Sequence, residues 1–340
     1  MPKFFDDDIR EKLKELEEHI REEYLSSREI YQRDWRTYEQ EFSRRMKEAI
    51  ILLDPLIKES VESIHMYTGA GRPSSLKLEQ KVKLLLIKQL VGESNRMFSG
   101  MLDLFSLLSG IDISYKTIER LYSDNIVNMS LHNLHVLLLK KKNVERVDAT
   151  GDGTGYSMII SKHYETYIQK LKDKGKENKG TNKKRARRIL FAFTFRIMDL
   201  KSKMYIAYGT SLKSEKDAFE KAMKMLTSLD TNIEIDSIRL DKYYSSPTYV
   251  DKFGAAKVYI IPKKNATLNG SIKWKNTMKE FVGNTLEYLG QYYLRNNSEN
   301  GFSVDKKMLG WSVMQKRDDR IDCAMKTICL WHNLFNFGRS

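Results

Sequence analysis

The sequence predicts a mixed α/β protein in which an all-helical N-terminal region leads into a mixed sheet covered by helices. Three observations carry that expectation. Apolar residues recur at helical spacing through the first 143 positions. Short β-branched and aromatic runs bounded by turn residues follow between 144 and 261. Apolar helical faces then return from 271 to 335. The chain has 340 residues, 41% hydrophobic and 11% aromatic, which is enough apolar material for two such units and excludes a wholly disordered or collagen-like chain.

Residues 1–68 read as charged helices. Ile9, Leu13, Leu16, Ile20 and Tyr24 fall three or four apart, and a second pattern runs from about Arg36 to Ile57, with Pro55 near its end. Paired helices are the simpler reading; the alternative is a DNA-touching arm using Arg28, Arg33, Arg36, Arg44 and Arg45. The cluster Gly69-Ala-Gly-Arg-Pro-Ser-Ser75 is a turn or linker. Residues 74–143 then form a candidate helix-turn-helix unit. Arg96–Leu108 is apolar on one side, Ser109-Gly110 turns the chain, and Ser114–Ser123 makes a short helix exposing Lys116 and Arg120 to a major groove.

From 144 onward the pattern changes. Strands are expected at Val144–Asp148, Arg188–Leu200, Met204–Thr210, Ser237–Asp241 and Lys257–Ile261, with a helix over Asp217–Leu229. Helices cover parts of 271–289, 297–314 and 319–335. Pro247 limits the segment 242–256 to a short helix at best.

Charge narrows the partners. With 59 Lys and Arg against 45 Asp and Glu, the net charge is +14, and the mean hydropathy is −0.53. Such a balance favours polyanions. No run approaches the 18 or more apolar residues of a membrane span, and no apolar leader opens the chain, so no membrane role is expected. Cys323 and Cys329 read as two buried thiols in a reducing compartment. His132-x2-His135 lacks further ligands at useful spacing for zinc. Ten lysines and arginines crowd into Lys170–Arg188 against Asp173 and Glu177. Lys183, Lys184, Arg185, Arg187 and Arg188 are its densest part and suit a DNA backbone.

Chemistry is expected where acids end strands. Asp148 and Asp241 each follow an apolar strand, where a rigidly held carboxylate can help share divalent cations. Each alone also reads as a turn cap. Asp152, in the apparent loop Gly151-Asp-Gly-Thr-Gly155, and Asp236 are rivals. That loop matches neither GxGxxG nor GxxxxGK[ST]. The third acid comes from Tyr292, Arg295, Glu299 and Lys306, whose offsets place them within about 60° on a helix wheel. A carboxylate beside phosphate-grade cations suits phosphoryl transfer on a polyanion. Asn296-Asn297 and Gly301 are poor helix interior, so the helix is expected to begin near Ser298.

These residues resemble a known family. Tyr292-x2-Arg295-x3-Glu299-x6-Lys306 is similar at every position to the signature of a large group of bacterial and archaeal insertion-sequence transposases of the DDE type. Asp148-Ala149-Thr150 and Asp241-Lys242-Tyr243-Tyr244 resemble the group's two aspartate motifs. The resemblance covers about residues 144–335. It implies an RNase H-like catalytic domain over 144–340, with a basic insertion at about 157–187, preceded by the helical region 1–143. It further implies two divalent ions held by Asp148, Asp241 and Glu299, and cleavage and joining of DNA at element ends. Hard oxygen ligands point to Mg²⁺, with Mn²⁺ as a substitute. Arg295 and Lys306 would clamp phosphate, and Tyr292 would contact the element-end DNA. The implied partners are double-stranded DNA with terminal inverted repeats, target DNA and a second copy of the chain on paired ends. The implied place is the prokaryotic cytoplasm, at the nucleoid when DNA is bound. The rivals are a general DNA nuclease on the same fold and a non-catalytic DNA-binding protein derived from a transposase.

Overall fold

The computed structural model describes residues 5–26, 34–64, 76–92, 94–158, 191–229, 231 and 233–338. The basic run Lys170–Arg188, with Arg28 and Arg33, lies outside the described residues. Helices α1 (Asp6–Ser26), α2 (Trp35–Val61), α3 (Leu78–Val91), α4 (Asn95–Phe98), α5 (Leu102–Ser109), α6 (Tyr115–Leu121) and α7 (Asn125–Lys141) come first. Strands β1 (Arg146–Met158), β2 (Phe191–Asp199) and β3 (Tyr205–Ser211) follow. Then come α8 (Glu215–Ser228), β4 (Glu234–Leu240), α9 (Pro247–Val250) and β5 (Lys257–Tyr259). The chain ends with α10 (Ile272–Gly283), α11 (Thr285–Tyr293), α12 (Asn296–Leu309), β6 (Ser312–Val313) and α13 (Asp318–Phe337). An N-terminal helical region followed by a mixed sheet is thus what the sequence led us to expect, and it is consistent with an RNase H-like fold preceded by helices.

The sheet runs β3-β2-β1-β4-β5, with the short β6 pairing to the far end of β1. Strands β1, β2 and β3 are antiparallel, whereas β4, β5 and β6 join in parallel. Two helical layers cover it. Helix α8 packs against β2 and β3, where Phe195 and Phe219 meet edge to face at 4.9 Å. On the other side α12 and α13 lie over β1 and β3. Helix α13 also packs on α2, α3 and α7, so its fully buried Trp331 donates to the Leu86 carbonyl at 2.9 Å. The N-terminal helices and the sheet therefore share one apolar core.

Three local features differ from the sequence expectation, each for a physical reason. Strand β1 continues to Met158, through the stretch that reads as a glycine loop. Gly151, Gly153 and Gly155 all face the α8 side of the sheet, where side chains stand too close for a Cβ. One at Gly151 would sit 2.8 Å from the Phe195 ring and one at Gly153 2.2 Å from the Glu215 side chain. The expected helix over 271–289 is two helices, because Asn284 leaves helical geometry at φ −144°, ψ 61°. Pro247 starts α9 rather than interrupting it, occupying the position where no amide donor is needed.

Among the described residues, no helix is long and apolar enough to cross a membrane. Cys323 and Cys329 are free and buried. His135 is also buried and serves packing. Its Nε2 faces the Ile206 carbonyl at 3.1 Å, and its ring meets Tyr208 edge to face.

Candidate active site

Alternation along β1 sets which acids can meet. The glycines occupy one face, so Asp148, Thr150, Asp152, Thr154 and Tyr156 line the other, beneath α12. In the parallel pairing of β1 with β4, Asp148 stands opposite Ser237 and Gly151 opposite Leu240. Asp241 leaves the end of β4 at the level reached by Asp152. Asp148 lies about 13 Å further back along the strand, four residues at roughly 3.3 Å each.

The guanidinium of Arg295 joins three carboxylates at this level. Its Nη1 donates to Asp152 Oδ2 at 3.0 Å and stands 3.7 Å from Asp241 Oδ2. Its Nη2 donates to Glu299 Oε1 at 2.7 Å. Arg295 sits in the junction between α11 and α12, and Glu299 lies one turn on, in the first turn of α12. Asp241 caps the short helical turn Lys242–Tyr244, accepting from the Tyr243 amide at 2.8 Å. Asp152 accepts from the Gly153 amide at 2.8 Å. Burial pushes the Asp152 carboxyl up to about 6, against the pull of Arg295 and the Gly153 amide and with a further push from Asp241 and Glu299.

The structure brings Asp241 and Glu299 together with Asp152 on Arg295, and Asp148 stands apart from them. The Asp148 side chain is 62% exposed, and its Oδ1 accepts from Ser237 Oγ and stands 3.5 Å from Arg239 Nη1. Arg239 in turn reaches Gln291, on the helix before Arg295, donating to its side chain at 2.7 Å. Asp148 thus belongs to a polar group that ties β1 and β4 to α11. Asp236, the other rival, pairs with Arg146 at 2.6 Å on the strand-start side.

Lys306 lies along the same face of β1. Its ammonium donates to Thr154 Oγ1 at 2.7 Å and rests between the Tyr156 and Trp311 rings, 5.3 Å from each centroid. Burial first, and Arg196 second, hold its pKa below the usual lysine range. Tyr292 is only 6% exposed, its ring centroid 6.0 Å from the Arg295 guanidinium. Tyr292, expected to contact element-end DNA, here backs Arg295. Helix α12 begins at Asn296, two residues before the expected Ser298.

A second group beneath α12 escaped the sequence reading. Asp305 is fully buried, paired to Arg196 and accepting from Tyr205 Oη at 2.8 Å, with His332 Nδ1 at 2.7 Å. Only its place next to Lys306 on a helix facing the sheet could have signalled it.

In the helical region, Gly110 at φ 70° ends α5, and Ser114 caps α6. Lys116 and Arg120 are exposed on α6. Its other side is tied to α13 through Arg320, which donates to Glu119 at 2.5 Å and to Ser123 at 2.8 Å.

Among the described residues, no group of three or more His, Cys, Asp or Glu side chains is arranged to hold a metal ion as it stands. The cation shared by the three acids here is Arg295. No family model matches the chain. A probable transposase for the insertion sequence element ISA1214 from Archaeoglobus fulgidus is 43% identical over 291 residues, spanning 85% of this chain and 84% of that protein. Similarity at that level over most of both chains shows that this protein belongs to a family of insertion-sequence transposases.

Proposed function

We propose that the chain is a DDE transposase of the group carrying the Tyr-x2-Arg-x3-Glu-x6-Lys signature, and that Asp152, Asp241 and Glu299 are its catalytic acids. The observation that carries this reading is the meeting of those three carboxylates on Arg295 at one end of the β1–β4 pair. The donor set is all hard oxygen, which fits Mg²⁺ or Mn²⁺. Bound ions supply activation of the attacking oxygen and charge neutralisation at the leaving oxygen.

The chain's own residues prepare for that chemistry. Asp152 and Asp241 are fixed by backbone amides, so neither carboxylate has to be ordered when DNA arrives. Arg295 at Asp152 and Lys306 at Thr154 stand over one face of β1 and supply donors for a scissile phosphate. In this reading, Lys116 and Arg120 on α6 contact duplex DNA, and so does the run containing Lys183, Lys184, Arg185, Arg187 and Arg188. Residues 1–143 serve recognition and 144–340 serve catalysis, with two copies acting on paired inverted repeats.

The test is a paired-end reaction on DNA carrying the flanks of the protein's own gene, with Mg²⁺ and with EDTA. A transposase gives metal-dependent nicks at the element ends and joined products. Nicks without joining would reduce the activity to that of a nuclease, and binding without nicks would leave a DNA-binding protein.

A further inference from the structure

On the flank of α12 turned away from Glu299 and Lys306 lies a cleft of about 510 Å³. Asn297, Asn300, Val304 and Lys307 line it at helical spacing, facing the N-terminal half of α2 and the turn between β2 and β3. Four cations border it: Arg44 and Arg45 from α2, Lys203 from the turn, and Lys307. Glu41 is the single acid in the lining. Lys203 is held in the left-handed region at φ 59°, an uncommon conformation for a residue with a side chain. Its carbonyl faces His332 Nε2 at 2.8 Å, and its ammonium donates to Asn297 at 3.0 Å.

A second feature points to the ligand. Trp35, Tyr38 and Phe42 form a ladder of rings along α2, with successive centroids 6.0 and 6.3 Å apart. Tyr38 and Phe42 enter the cleft, while Trp35 stands 62% exposed beyond it. Solvent-facing rings leading into a cation-lined cleft match what unpaired nucleotides require. The rings offer stacking faces, the cations meet phosphates, and the amide of Asn300 can meet base edges. A duplex backbone has no use for such rings, because its bases are already stacked.

We propose that this cleft binds a single-stranded segment of DNA, with bases on Trp35 and Tyr38 and phosphates on Arg44, Arg45, Lys203 and Lys307. The inference rests on the reading of this chain as a DNA strand-transfer enzyme and adds a second DNA site behind the catalytic helix.

Binding of a fluorescein-labelled oligothymidylate and of a blunt duplex of equal length, measured by anisotropy on the full chain in EDTA, tests it. R44Q/R45Q/K203Q/K307Q should weaken oligothymidylate binding at least tenfold. It should also flatten the plot of log affinity against log salt by roughly 0.7 for each phosphate that is no longer neutralised. W35A/Y38A should weaken the same complex roughly fivefold or more without changing that slope. Duplex binding should change far less in both variants. An unchanged salt slope in the quadruple variant, an unaffected W35A/Y38A, or equal losses on duplex and single strand would each overturn the proposal. EDTA keeps the result independent of whether the acid cluster cleaves DNA, so either reading can fail alone.

Discussion

Arg295, between two helices over the sheet, reaches Asp152 on β1 at 3.0 Å, across a sequence separation of 143 residues. With the same guanidinium it also binds Glu299 at 2.7 Å. Its charge is therefore directed at carboxylates rather than at an open surface. One of its donors, Nε, is buried without a partner. Three anions around one cation is a cluster that remains short of positive charge, and a phosphate arriving from the DNA would compete with the acids for Arg295.

Metal affinity should report that competition. R295Q removes the cation that neutralises the acids, so Mn²⁺ binding to the DNA-free protein, followed by calorimetry, should tighten by roughly tenfold, the scale of one charged hydrogen bond. DNA cleavage should fall in the same variant. If Arg295 only props the acids in place, Mn²⁺ binding would weaken instead.

Asp305 is a prediction about stability. Its carboxylate has no solvent access and pairs with a fully buried Arg196. Asp305→Asn leaves that guanidinium without its counter-charge and should cost about 3–5 kcal/mol in urea denaturation. A loss below about 1 kcal/mol would show that water or rearranged neighbours replace the pair.

His135 predicts a pH dependence. Burial pushes it down to about 4, the Ile206 carbonyl partly opposing that shift, while the unfolded chain would titrate near the usual 6.5. The folded state thus takes up its proton later than the unfolded state as pH falls. The stability associated with a neutral His135 is complete above about pH 6.5, declines between 6.5 and 4, and levels off below. The difference is worth about 3 kcal/mol at most. H135Q should flatten that part of the curve of stability against pH, and an unchanged slope would contradict the assignment.

The helical region and the mixed sheet were legible because periodicity survives wherever one face is buried, as in Ile321, Ile328 and Trp331 of α13. The shared side of Glu299 and Lys306 was legible because seven residues, about two helical turns, separate them on α12. Asp152 ranked only as a rival to Asp148 because Gly151, Gly153 and Gly155 read as turn chemistry. They serve instead to let β1 approach Phe195 and Glu215 closely. Once that strand is extended, the alternation that hides the glycines under α8 presents Asp152 to α12. Asp305 and Arg196 were out of reach of the sequence, since their pairing depends on how α12 and β2 meet.

The choice between Asp152 and Asp148 bears most directly on the whole account. D152N, D148N, D241N and E299Q should be compared in Mg²⁺-dependent nicking of end-bearing DNA, with DNA binding in EDTA as the control for folding. D152N, D241N and E299Q should each lose at least a hundredfold in nicking while keeping their DNA affinity, since each removes a charged donor from the site. D148N should keep activity within a few fold, because Asp148 holds Ser237 and Arg239 rather than the reacting centre. An inactive D148N beside an active D152N would contradict the account.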